Sequence, residues 1–120
     1  MAPISSDKLS DYLQDTPVKI PEPEIELAET TKDPKVMDEL AGFWDWRIRS
    51  RIAKKPNINP DTLKKLSKDR DYLVRISVLG NETITIEMLQ IMTKDEDKLV
   101  SKCAKMALKD KLDGLFLLWK

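Results

Sequence analysis

Three groups of side chains in this sequence could do chemistry by type and spacing. Asp95, Glu96 and Asp97 are consecutive, and their carboxylate oxygens could hold a hard cation. Cys103, the single cysteine, is the one soft nucleophile. Arg47, Arg49, Arg51, Lys54 and Lys55, followed by Lys64, Lys65, Lys68 and Arg70, form a basic cluster that could grip an anion. That anion could be nucleic acid, an acidic protein segment or the acidic N-terminal part of this same chain. Trp44 and Trp46 lie beside Arg47 and Arg51, and tryptophan with arginine carries much of the energy at protein interfaces.

Each group also has a plainer reading. The three acids fall where a helix should begin, and carboxylates there act as caps. Cys103 sits between Val100 and Ala104 and reads as a small buried filler. Trp46 and Tyr72 can cover the edge of a helix stack, and the basic cluster can be a solvated face. The chain has no histidine, which removes the usual general base, nucleophile activator and metal ligand. Its three glycines form no phosphate-cradling loop. We therefore expect no catalytic residue, no metal site, no cofactor and no enzymatic activity. The expected chemistry is partner binding through Trp44, Trp46, Arg47, Arg51, Lys54 and Lys55, with Phe116 and Trp119 as a second contact.

These residues are positioned by a unit that recurs every 26 positions. "DPKVMDELAGFWDW" from residue 33 and "NPDTLKKLSKDRDY" from residue 59 read almost as one phrase written twice. The same step links Ile48, Val74 and Val100, then Ile52, Val78 and Ala104. It also links Met37, Leu63, Leu89 and Leu115, and Leu40, Leu66, Met92 and Leu118. Within a unit the apolar residues stand four or three apart, which is helical spacing. A period in this range implies units too small to bury their own apolar faces, which must stack on their neighbours.

The punctuation agrees. Asp33-Pro34 and Asn59-Pro60 place a capping side chain before a proline that needs no N–H, and Thr85 fills that column in the next copy. Asp45, Asp71 and Asp97 fall near the start of the first helix of each unit, where a negative charge suits the helix dipole, and Pro56 and Gly80-Asn81 end it. Long helices are predicted over roughly 44–54, 70–80 and 96–108, and short ones over 34–42, 60–68, 86–93 and 112–119. Arg49 and Arg75 are repeat columns, expected to pair with Asp69, Asp71 or Asp95. The expected fold is all-α: a short solenoid of about three to four 26-residue helix pairs over residues 32–120.

Residues 1–31 differ. "SSDKLSDYLQD" can form a short helix, but Pro17, Pro21 and Pro23 then favour an extended chain. A net charge of zero conceals an asymmetry: residues 1–43 hold 10 acids against 4 bases, and residues 44–120 hold 11 acids against 17 bases. We expect an acidic, proline-containing arm beside a basic body. No run of 18 apolar residues occurs, and no basic start precedes an apolar stretch, so neither a membrane span nor a secretory signal is expected. The expected location is the cytoplasm.

The stretch "DWRIRSRIAKKPNINPDTLKKLSKD", residues 45–69, resembles the leucine-rich repeat variant family. Ile48-Arg49, Ile52-Ala53, Asn59-Pro60, Leu63, Leu66 and Asp69 carry the resemblance. Val74-Arg75, Val78, Leu89, Met92 and Asp95 carry it in the next copy, where Thr85-Ile86 replaces Asn-Pro. It covers roughly residues 33–119 and implies a right-handed superhelix of paired helices, akin to HEAT and armadillo arrays, that serves as a binding scaffold. Some family members hold an iron–sulfur centre on a cysteine cluster; that cluster is absent here.

The expected function is therefore a protein–protein interaction module, with the arm as a docking or masking segment. Self-association through the apolar C-terminal end is a further expectation. The alternative is a nucleic-acid-binding HEAT-like protein using the basic cluster at residues 47–75, which a pI near 6.3 disfavours.

Overall fold

The computed structural model describes residues 22–118, in which seven helices and no strand occur. They are α1 (Glu22–Thr30), α2 (Pro34–Leu40), α3 (Trp46–Ala53), α4 (Pro60–Leu66), α5 (Tyr72–Leu79), α6 (Ile86–Met92) and α7 (Lys98–Leu118). The all-α expectation holds. Among the described residues no helix is long and apolar enough to cross a membrane.

The helix starts follow from the sequence punctuation. Asp33, Asp45, Asn59, Asp71 and Thr85 each accept a hydrogen bond from a backbone N–H in the first turn of α2 to α6 in order. Asp97 does the same for α7, accepting from Leu99 N at 2.9 Å and Val100 N at 3.1 Å. Pro34 and Pro60 stand at the helix starts, where their missing N–H costs nothing.

The odd-numbered helices touch in series, α1 to α3, α3 to α5 and α5 to α7, while α2, α4 and α6 pack beside them. The core is built from the repeat columns. Ile48, Val74 and Val100 are fully buried, as are Ile52, Val78 and Ala104. Met37, Leu63 and Leu89 are buried, and so are Leu40, Leu66 and Met92. Ile58 and Ile84 fill the turns between helices. Burying a side chain of this size contributes about 1.5–3 kcal/mol, so the columns supply the main drive for association of the helices.

Polar contacts then set the spacing. Arg49 donates to both oxygens of Asp69, at 2.8 and 3.1 Å, and to the carbonyls of Phe43 and Trp44 at 2.7 and 2.8 Å. One period on, Arg75 grips Asp95 at 2.9 and 3.1 Å and donates to Asp69 O at 2.6 Å. The expected arginine pairing is therefore present, with Asp69 and Asp95 as the partners. Asn81, only 2% exposed, donates to Ala53 O and Lys55 O, both at 2.8 Å, and so ties the turn after α5 to the turn after α3. Gly80 closes α5 at φ −83°, an ordinary right-handed value, so this turn depends on Asn81 and not on glycine's conformational freedom.

Two expectations need correction. The extended chain predicted through Pro23 is instead α1, because Pro23 is the second helical residue, where a proline ring is tolerated. Ala28 of α1 is fully buried. Pro17, Pro21 and the short helix expected near Leu9 lie outside the described residues. Second, the separate short helix over 112–119 does not form, because α7 runs unbroken to Leu118. Its would-be core residues Leu115 and Leu118 are 43% and 82% exposed. The columns of Asn59-Pro60 carry Lys111-Leu112 here, and Met106-Ala107-Leu108 stands where Gly80-Asn81-Glu82 ended α5. Good helix formers have replaced every stop signal.

Removing one partner of the buried pair leaves the other uncompensated. Arg49→Ala and Asp69→Ala are each expected to cost about 3–5 kcal/mol, measured by urea denaturation. The double variant should lose far less than the sum of the two. Additive losses would show that the pair does not act as one unit. Leu112→Pro should end α7 about two turns early, seen as lost helical circular dichroism and protease cleavage beyond residue 108, with the urea midpoint little changed.

Candidate binding surfaces

The residues expected to bind a partner fall on two separate helices. Trp44, Trp46, Arg47, Arg51, Lys54 and Lys55 belong to α3 and its flanks, whereas Phe116 belongs to α7, two places on in the series of odd-numbered helices. Trp119 lies outside the described residues.

At the first surface, Trp44 is 52% exposed, Trp46 38% and Tyr72, one period on, 42%. Phe43 and Trp44 stack with ring centroids 5.6 Å apart at an interplanar angle of 37°. Their backbone is held from beneath, since both carbonyls accept from the buried Arg49 guanidinium. Beside them Asp45, whose side chain is 1% exposed, takes Arg47 Nε at 3.0 Å and Nη2 at 2.8 Å. The two tryptophans are thus presented on a rigid corner.

The basic residues of this corner are partly engaged within the chain. Arg51 pairs with Glu29 of α1 at 3.3 Å and donates to Arg47 O at 3.1 Å. Lys55 Nζ donates to Glu29 O at 2.6 Å. The acidic N-terminal segment does meet the basic cluster, through α1. Lys54 is exposed. Of the remaining lysines, Lys65 reaches Asp38 at 3.5 Å, while Lys64 and Lys68 face solvent.

The second surface is the C-terminal half of α7. Leu112, Leu115, Phe116, Leu117 and Leu118 are 45%, 43%, 64%, 67% and 82% exposed. Val100, Ala104, Ala107 and Leu108 form the stripe that faces the body, and Leu115 and Leu118 prolong that stripe. The helix therefore carries an apolar face of continuous register from a buried environment into an exposed one.

Elsewhere the chemistry is closed. Asp95 and Asp97 serve Arg75 and the α7 cap, as the capping reading of that acidic run anticipated. Cys103 is half-buried. An open groove of about 370 Å³ between the ends of α4 and α6 is lined by Lys68, Ile91, Lys94 and Arg75, and Arg75 is held by Asp95. Among the described residues no buried side-chain nitrogen or oxygen lacks a hydrogen-bond partner.

A set of residues that the repeat reading passed over is Lys98, Lys102, Lys105 and Lys109, all exposed on α7. Their spacing is legible in the sequence, but they are not repeat columns, so the period did not single them out.

Asp45 gives this corner a pH signature. The hydrogen bond from Arg47 lowers its pKa below the ordinary 3.8. A depressed carboxylate stabilises the fold above its unfolded pKa, and that contribution is lost as pH falls through the folded value. Wild type should therefore lose more stability than Asp45→Asn on going from pH 5 to pH 2, followed by thermal unfolding. Equal losses would mean that the carboxylate contributes nothing of this kind. No family model, curated protein or solved structure matches the chain, so these surfaces are read from their own chemistry.

Proposed function

We propose that this chain is a short right-handed helical-repeat solenoid that binds another protein and catalyses no reaction. The observation that carries this reading is the apolar stripe of α7, which outlasts the body that covers its first half. A helix offering Leu112, Leu115, Phe116 and Leu118 at three- and four-residue steps suits a hydrophobic groove on a partner. It can equally receive a second copy of the chain. The fixed Trp44 and Trp46 corner, with Arg47 and Arg51, supplies a second contact of interface composition.

The burial of the repeat columns and the series of contacts between odd-numbered helices support the solenoid reading and the resemblance to leucine-rich repeat variants. The contact of Glu29 with Arg51 and Lys55 supports a masking role for the acidic segment. Nucleic-acid binding through residues 47–75 has less to draw on, because Arg47, Arg49, Arg51 and Arg75 all hold carboxylates of the same chain.

A crosslinking capture from nuclease-treated native extract tests this reading, with full-length wild type compared against Leu115→Asp plus Phe116→Asp. The variant changes exposed residues and should keep its helical circular dichroism and thermal midpoint. The expected outcome is a discrete protein retained by wild type and reduced at least about tenfold by the variant. Equal capture by both would remove α7 as the docking element. A salt-sensitive shift of duplex DNA or RNA by the wild type would favour the nucleic-acid reading.

A further inference from the structure

Helices α1 and α7 stand at the two ends of the series α1, α3, α5, α7. Among the described residues, each has one side against a neighbour and another side exposed. On α1, Ala28 is buried and Ile25 packs against the core, while Glu22, Glu26 and Glu29 form a line along the flank of the helix at steps of four and three. All three are exposed, with Leu27 44% exposed beside them. On α7, Val100 and Ala104 are buried, and Lys98, Lys102, Lys105 and Lys109 lie opposite at steps of four, three and four. All four are exposed, flanked by Leu99 and Met106 at 50% and 60% exposure.

The same contrast holds over longer stretches. Residues 22–43 carry seven acids against two bases, and residues 98–118 carry five lysines against two aspartates. Stacked arrays end in polar faces that stop further units from adding. In this chain the two polar ends carry opposite signs, so each end repels its like and attracts the other.

We infer that a second copy of this chain docks head to tail, with the glutamate line of α1 in one copy laid along the lysine line of α7 in the next. Glu22 to Glu29 and Lys98 to Lys105 each span about 10 Å of helix, so Glu22 and Glu26 meet Lys98 and Lys102 in register, with Glu29, which also pairs with Arg51, beside Lys105. Leu27 meets Leu99 and Met106 between them. Because the two faces differ, the contact is heterologous, and it propagates unless the rotation closes a ring. Each exposed ion pair is weak, so assembly depends on concentration and on salt. A lysine-lined helix with apolar flanks also suits an anionic lipid surface. The matching acidic line at the other end favours a second copy, since such a surface would repel it. The contact is separate from the apolar tip of α7 proposed above for partner docking.

Sedimentation velocity on the full chain tests the inference. Wild type should rise in average mass with concentration at about 50 mM salt and return to monomer near 0.5 M. Lys102→Glu with Lys105→Glu, and separately Glu22→Lys with Glu26→Lys, should each stay monomeric at low salt with unchanged circular dichroism. An equimolar mixture of the two should regain the wild-type behaviour, because the reversed α7 of one fits the reversed α1 of the other. Leu115→Asp with Phe116→Asp should assemble as wild type does. A wild type that is monomeric throughout would overturn the inference, whether or not it binds phosphatidylserine vesicles. So would assembly that survives both charge reversals but not the tip variant, which would place self-association at the apolar end.

Discussion

A buried guanidinium that holds a carboxylate twenty positions downstream is the constraint on which the spacing of these helices depends. Arg49 holds Asp69, and Asp69 Oδ1 also accepts from the N–H of Asp71, the residue that caps α5. Arg75, on α5, holds Asp95, whose Oδ1 accepts from the N–H of Asp97, the cap of α7. Each arginine therefore determines where the next odd-numbered helix begins. Burial makes the arrangement strict. An ion with 4% side-chain exposure has no water to fall back on, so its donors must find protein acceptors, and they do so in carboxylate oxygens and turn carbonyls.

This clamp is used twice and then stops. One period before Arg49 stands Pro23, and one period after Arg75 stands Ser101, which donates instead to Thr93 O at 2.6 Å. The outer helices are consequently held by apolar contact and by ties such as Lys55 to Glu29 O and Lys111 to Ile84 O. Among the described residues the outer helices α1 and α7 differ in kind from the middle of the series. The middle is closed by paired charges and buried aliphatic side chains. The ends carry exposed lines of charge, and α7 carries an apolar stripe that is exposed among the described residues.

That division separates the two candidate surfaces. Trp44 sits on backbone held by Arg49, and Trp46 follows the cap residue Asp45, so little of this corner's backbone would need ordering on contact with a partner. The tip of α7 offers a large apolar area at the end of a long helix. The neutral total charge hides an acid excess over residues 1–43 and a base excess over residues 44–75.

The sequence by itself determined the period, the helical class, the cap residues and the pairing of Arg49 and Arg75 with downstream aspartates. All of these rest on local geometry or on a spacing repeated often enough to be read. It also marked Trp44 and Trp46 as exposed candidates by type. Only the tertiary structure decided that Pro23 belongs to a helix start and that Leu115 and Leu118 stay uncovered. A column predicts burial only when a neighbour exists to do the burying, and among the described residues the second half of α7 stays exposed. The tertiary structure likewise turned one list of binding residues into two surfaces, and brought Glu29 to Arg51 across 22 positions. Charge lines on open helix faces acquire meaning only once it is known which helices stand at the ends.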